Sequence, residues 1–90
     1  MTNASSASRI EAIHSRLIRA LEPQLLEITD ESHLHAGHAG ARDGRGHFHV
    51  RIASARFRGL SRLAQHRLVY DALGDLLTTD IHAVRISAEI

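Results

Sequence analysis

Residues 30–50 read DESHLHAGHAGARDGRGHFHV, and the interpretation of the whole chain depends on this stretch. It contains five of the eight histidines and four of the six glycines, and it separates two runs in which apolar and polar residues alternate. A long loop in a compact domain is more often functional than a plain connector, and imidazole is the commonest metal ligand. The pattern leaves three alternatives open: a loop that holds a metal, one that responds to pH, or a solvated turn.

The runs on either side of the loop have the two-residue period of β-strands. In residues 24–29, Leu26 and Ile28 fall on one face. In residues 47–53 the apolar side chains alternate with polar ones, so one face carries Phe48, Val50 and Ile52 and the other His47, His49 and Arg51. The two runs are predicted to pair as an antiparallel hairpin with an elaborated tip.

An amphipathic helix is predicted before the hairpin, from Ser8 to just before Pro23. Its apolar positions recur at helical spacing, at Ile10, Ile13, Leu17 and Leu21. Ser8 and Glu11 fit a capping box at its start. Residues 1–7 are predicted to be a disordered tail, and residues 8–90 a single domain.

The second half of the chain predicts a turn, a helix and a strand. Residues 56–59 form the turn, with Phe57 as its apolar anchor, and Ser61 caps a helix that runs to about residue 77. The buried stripe of this helix comprises Leu68, Val69, Ala72, Leu73, Leu76 and Leu77. Residues 81–87 form the strand, with Val84 and Ile86 facing the core. His82 shares their alternation, so it is expected at the edge of the core.

The resulting α-β-β-α-β order predicts an α+β fold. Its simplest form is a two-layer sandwich in which a three-stranded sheet carries two helices on one face. A helical crossover joins the second and third strands, so these two are expected to be parallel if they are neighbours.

Composition limits the classes of function. The chain has no cysteine, so it can form no disulfide and supply no thiolate ligand. No apolar run approaches the roughly 18 residues needed to cross a bilayer, and we expect a cytoplasmic protein without membrane contact. Nucleophile elbows, phosphate-binding loops and paired carboxylates are not found. We therefore expect neither an enzyme nor a small-molecule substrate, and a monomer as the free chain.

Two groups of residues are candidates for function. His35 and His38 lie among small residues in an H-x-x-H spacing, and His82 is a third imidazole far away in the sequence. The second group, Arg58, Arg62, His66 and Arg67, follows helical spacing at the start of the second helix. This group predicts either a face that contacts phosphates or an ordinary solvated face.

The chain resembles the BolA family from about residue 9 to residue 88. The motifs that carry the resemblance are DESxxHAGHAG at 30–40, HFxV at 47–50, FxG at 57–59, HRLVY at 66–70 and IHAxxI at 81–86. Gln65 stands where the family often has an arginine. The resemblance implies a fold similar to a type II KH domain, in agreement with the element order predicted above.

The resemblance also implies two functions. One is partnership with a monothiol glutaredoxin, in which the two proteins and glutathione share a two-iron, two-sulfur cluster that the isolated chain does not hold. The family motif places the histidine ligands on His82 and His35, with His38 as the reserve loop ligand. The other function is transcription regulation through DNA binding by the basic region of Arg58, Arg62, His66 and Arg67.

Overall fold

The structure, a computed structural model, describes residues 6–32 and 46–89. Within these ranges the elements are α1 (Ser6–Leu21), β1 (Leu25–Asp30), β2 (Gly46–Ala53), a 3-10 turn (Ala55–Phe57), α2 (Arg62–Leu73), α3 (Leu76–Thr79) and β3 (Ile81–Glu89). The strands lie in the order β1-β2-β3, with β1 antiparallel to β2 and β2 parallel to β3. The predicted α+β class and both strand pairings are confirmed.

The hydrophobic core lies between the helices and one face of the sheet. The predicted inward face of β2 is confirmed, because Phe48, Val50 and Ile52 are each at most 1% exposed. Helix and turn residues complete the buried cluster, chiefly Ile13, Leu17, Leu21, Phe57, Val69, Leu73 and Leu76. Leu26, Ile28, Val84 and Ile86 pack against it from the outer strands, as their alternation predicts. The opposite face of the sheet is left to polar side chains.

Helix α1 begins earlier than the sequence predicts. Ser6 and Ala7, which were assigned to the tail, are part of the helix. Ser8 therefore lies inside the first turns, and the predicted capping box at Ser8 is wrong. Residues 1–5 of the predicted tail lie outside the described residues. The end of the helix before Pro23 is confirmed, and Glu22 leaves the helix with a φ of 44°.

The second helical segment is divided in two, so the single helix predicted to run to residue 77 is wrong. Ser61 is the N-cap of α2, as predicted, and its hydroxyl accepts from the amide of Ala64. Gly74 ends α2 with a φ of 52°, a backbone conformation that residues other than glycine rarely adopt. The short α3 then places Leu76 in the core at 8% exposure. A glycine near a helix end signals such a stop.

None of the helices in the described part of the chain has the length and apolarity that a membrane crossing requires.

Candidate metal-ligand site and basic groove

Strand β3 begins with a β-bulge that determines where His82 lies. Gly46 of β2 is opposite Ile81, but the next residue, His47, is opposite Ala83. His82 is therefore the extra residue of the bulge, inserted in β3 between the positions opposite Gly46 and His47. Ile81 fills the core at 1% exposure, whereas His82 is exposed. The prediction that His82 lies at the edge of the core is wrong, because the bulge breaks the alternation and gives that place to Ile81.

The imidazole of His82 lies beside that of His47. The two ring centroids are 5.0 Å apart, and the ring planes are inclined at 50°. His47 is only 7% exposed, although its place in β2 is opposite to the core-facing side chains. Strand alternation predicts His47 on the polar face of the sheet, and it predicts no contact with His82. Only the bulge, which alternation does not reveal, brings the two together.

The backbone of His47 also holds the start of the histidine-rich loop. Its amide donates to the Ser32 hydroxyl over 3.0 Å, and its carbonyl accepts from the Glu31 amide over 2.7 Å. Ser32 is itself held by the Asp30 carboxylate, which accepts from the Ser32 amide over 2.8 Å. The DES sequence thus forms a turn fixed to β2, and the chain enters the loop beside the His47–His82 pair.

An ion pair fixes the same turn to β3. The Arg85 guanidinium donates to the Glu31 carboxylate through Nη2, over 2.8 Å, and through Nε, over 3.4 Å. These hydrogen bonds and then the negative charge of Glu31 raise the pKa of Arg85. Because Arg85 is largely exposed, the pair contributes orientation more than stability.

The end of the histidine-rich loop is attached at the start of β3, next to His82. The Gly46 amide donates to the carbonyl of Asp80 over 3.0 Å, and Gly46 is opposite Ile81 in the ladder. A methyl group added at Gly46 would lie 2.6 Å from the buried ring of Phe48. Glycine is therefore required where the loop rejoins the sheet, one residue before His47.

The predicted loop ligands His35 and His38 lie in residues 33–45, outside the described residues. Within the described ranges no three His, Asp or Glu side chains are grouped as a metal site would need. The structure therefore places one of the three predicted ligands, His82, and shows where both ends of the loop that carries the other two are attached.

The exposed face of the sheet is polar and internally paired. Arg51, at its centre, donates to Glu89 over 2.8 Å and to Glu27 over 3.2 Å, so one guanidinium spans all three strands. The hydrogen bonds to these two carboxylates raise the pKa of Arg51. Beside it, His49 Nε2 and the Ser87 hydroxyl are 2.8 Å apart. The charges of this face are satisfied by one another.

The predicted basic residues of the α2 region, unlike the charged residues of the sheet face, are not paired with carboxylates in the described parts of the chain. Within the described residues, no carboxylate lies within salt-bridge distance of Arg58, Arg62 or Arg67. All three are exposed, and His66 is half-buried. Arg62 and His66 line a groove between α2 and β3, whereas Arg58 and Arg67 do not border it. The four residues therefore form a basic end of α2 but not a single row.

Two further features of α2 were not predicted. Gln65 Nε2 donates to the carbonyl of Leu60 over 3.1 Å, so this residue secures the turn before the helix. Leu63 and Tyr70 are exposed, at 62% and 40%. The outer surface of the helix therefore combines arginine with apolar and aromatic side chains, a composition that is also enriched in protein interfaces.

Comparison with known proteins gives the class to which this fold and these motifs belong. The family model for BolA-like proteins matches residues 17–89. Among solved structures, the BolA domain of SufE1 from Arabidopsis thaliana superposes with a TM-score of 0.79 at 39% identity, over 96% of this chain and 94% of that domain. The chain is therefore a member of the BolA-like family.

Individual relatives have different lengths and names. BolA-like protein 1 of Mus musculus is 41% identical over 96% of this chain and 61% of its own length. SufE-like protein 1 of Arabidopsis thaliana is 44% identical, and the match spans 91% of this chain but only 24% of that protein. The DNA-binding transcriptional regulator BolA of Escherichia coli is 38% identical over 84% of this chain and 70% of its length.

Proposed function

We propose that this BolA-like chain is an adaptor that binds a monothiol glutaredoxin and co-ligates a two-iron, two-sulfur cluster through histidines. His82 is one ligand, and the second comes from the loop, with His35 first in order and His38 in reserve. Its role is in iron–sulfur handling and iron-dependent regulation. The partner and glutathione supply thiolates, which this cysteine-free chain cannot.

One observation carries the proposal: both ends of the histidine-rich loop are attached beside His82. Ser32, at one end, is bonded to the amide of His47, whose ring contacts His82. Gly46, at the other end, is opposite Ile81, the residue before His82. His35 is three residues after Ser32, and three residues of chain span at most about 11 Å. This short tether supports His35 as the loop ligand of the proposed site.

The residues fit a cluster ligand site in their chemistry. The bulge leaves the His82 side chain exposed, while Val84 and Ile86, further along the strand, still pack against the core. When bound, the cluster supplies redox chemistry, and imidazole ligands in place of thiolates raise its potential. The task of this chain is to present imidazole nitrogens on a rigid strand and a tethered loop.

A reconstitution experiment tests the ligands. The protein is mixed with a monothiol glutaredoxin, glutathione and an iron–sulfur donor, and visible absorption and circular dichroism are recorded. His82→Ala should change the spectrum of the mixture, while His14→Ala, on the exposed face of α1, should not. His35→Ala and His38→Ala, compared in parallel, decide which loop histidine is the ligand. A His82→Ala mixture with the parent spectrum would show that the ligand assignment is wrong.

The second candidate function is DNA binding through Arg58, Arg62, His66 and Arg67, as in a transcriptional regulator. The supporting observation is that, in the described parts of the chain, the three arginines have no carboxylate partner, whereas Arg9, Arg16, Arg51, Arg56 and Arg85 do. An uncompensated basic helix end suits phosphate contacts.

Salt dependence tests this second function. The logarithm of the affinity for duplex DNA should fall by about 0.9 for each phosphate contact per tenfold increase in salt. Replacing both Arg58 and Arg62 by alanine should reduce that slope by about two contacts, with Arg19→Ala as the matched control on α1. Unchanged affinity in the double variant would show that this surface does not contact DNA. His82→Ala should leave the slope unchanged, so the two functions are tested separately.

A further inference from the structure

A groove lies between α2 and β3, and the two proposed functions use only Arg62 and His66 of the residues that line it. Its volume is about 310 Å³. Helix α2 lines one side with Arg62, Gln65 and His66, and β3 lines the other with Ile86, Ser87 and Ala88. A helix wall that carries the Arg62 guanidinium thus lies across the groove from a strand.

The strand wall of this groove is also an edge of the sheet. β3 is nine residues long and is last in the strand order, so within the described residues it pairs only with β2. The Glu89 carbonyl accepts from the Ser54 amide over 3.2 Å, which directs the backbone groups of Glu89 toward the β2 side. Because these directions alternate along a strand, Ala88 and Ile86 direct theirs to the outer edge.

We propose that the outer edge of β3 binds an extended acidic peptide segment of a partner protein, which adds a fourth strand to the sheet. The backbone of the peptide pairs with Ile86 and Ala88, and its carboxylates lie against Arg62 and His66. Strand addition of this kind gives affinity through backbone hydrogen bonds and specificity through side-chain pockets. An edge strand of this length is otherwise exposed to indiscriminate pairing.

Charge complementarity determines the chemistry of the peptide. Arg62 is exposed and has no carboxylate within salt-bridge distance among residues 6–32 and 46–89. The Gln65 amide already donates to two backbone carbonyls, so Arg62 and His66 supply the polar groups of the helix wall. Neither carries negative charge. An acidic segment is therefore favoured over a basic one.

An extended peptide also suits the groove better than single-stranded nucleic acid. Sites for unpaired bases depend on aromatic platforms, and none of the described residues that line this groove is Phe, Tyr or Trp. Its floor consists of outward-facing amide and carbonyl groups, which pair most directly with another backbone. The proposal is independent of the cluster, because His82 is at the start of β3 and Ile86 and Ala88 are near its end.

The first test uses isotope-labelled full chain and an acetylated, amidated peptide, Thr-Glu-Val-Glu-Val-Glu-Thr. Its binding should slow amide exchange at Ile86 and Ala88. The same peptide with Gln in place of Glu should bind about tenfold more weakly, as expected when charge-assisted contacts are lost. Arg62→Gln should weaken the parent peptide by a similar factor, whereas Arg19→Gln should not. Equal binding of the Glu and Gln peptides would overturn the proposal.

The second test examines strand pairing itself. Two versions of the peptide carry N-methyl groups on alternate amides, one on the odd positions and one on the even positions. Only one set of amides faces β3 in a paired strand, so one version should lose binding and the other should keep it. Equal binding by both versions would overturn the proposal. So would tighter binding of oligothymidylate at the same amides, or protection of Ile86 and Ala88 by self-association without peptide.

Discussion

The buried imidazole of His47 lies against the exposed imidazole of His82, with 5.0 Å between the ring centroids. The backbone of His47 is bonded to Ser32 and Glu31, at the start of the histidine-rich loop. His47 thus connects the loop attachment to His82, the proposed cluster ligand on β3.

Ser32→Ala should loosen the loop attachment. The substitution leaves the His47 amide without its side-chain acceptor and costs about 1 kcal/mol of the free energy of unfolding. Amide exchange measured by NMR should then accelerate at His47 more than at Val50, in the middle of the same strand. Ser61→Ala, which removes the α2 cap at a cost of about 1 kcal/mol, is the control for general destabilisation. Equal protection of His47 in the parent and in Ser32→Ala would contradict the attachment.

Gly46→Ala should destabilise the fold by about 1–3 kcal/mol, because the added methyl group meets the buried ring of Phe48. Denaturant unfolding measures the change. In Phe48→Leu the smaller side chain relieves the contact, so the two substitutions together should cost less than the sum of their separate costs. Strict additivity would show that the ring is not the cause.

Ser54→Ala should lower the stability of the fold although the substitution removes only one oxygen atom. Ser54 is fully buried, and its hydroxyl donates to the Leu21 carbonyl over 2.7 Å while accepting from the Arg56 amide over 3.1 Å. Loss of this hydroxyl leaves both backbone groups without that partner, and we expect a loss of about 1–3 kcal/mol in the free energy of unfolding. Calorimetry should show a lower Tm than for Ser61→Ala, whose hydroxyl is exposed. A Tm equal to that of the parent would contradict a stabilising role for the Ser54 hydroxyl.

Asp75 should contribute to acid sensitivity. The Arg16 guanidinium donates to its carboxylate over 2.8 Å, and this hydrogen bond, followed by the positive charge, lowers the pKa of Asp75 below its ordinary 3.8. The unfolded chain then binds the proton more tightly than the folded one. The stabilisation is therefore present above pH 3.8 and is lost as the pH falls through the folded value. In Arg16→Gln an NMR titration of Asp75 should give a higher pKa, and an unchanged value would contradict the pair.

Much of the fold could be predicted because local signals agree with tertiary packing. Pro23 ends α1, Ser61 begins α2, and Phe48, Val50 and Ile52 alternate into the core. Each of these features depends on residues close together in the sequence. Strand alternation and helical spacing were sufficient to give the layer arrangement and the direction of every strand.

The sequence predictions are wrong where residues distant in the sequence decide the local structure. Alternation extended back from Val84 places His82 toward the core, but Ile81 occupies that space and forces the bulge. Gly74 was passed over within a helical pattern, although its positive φ lets Leu76 turn into the core. The contact between His47 and His82 follows from the bulge, so sequence spacing contained no signal for it.

Removal of His82 from the chain would leave a regular ladder. Ile81 would stay opposite Gly46 and Ala83 opposite His47, with Ile81 and Val84 then two positions apart and both directed inward. His82 is thus an insertion that the register of the ladder does not require. Deletion of the His82 codon alone would thus remove the proposed ligand and keep the register of β2 and β3.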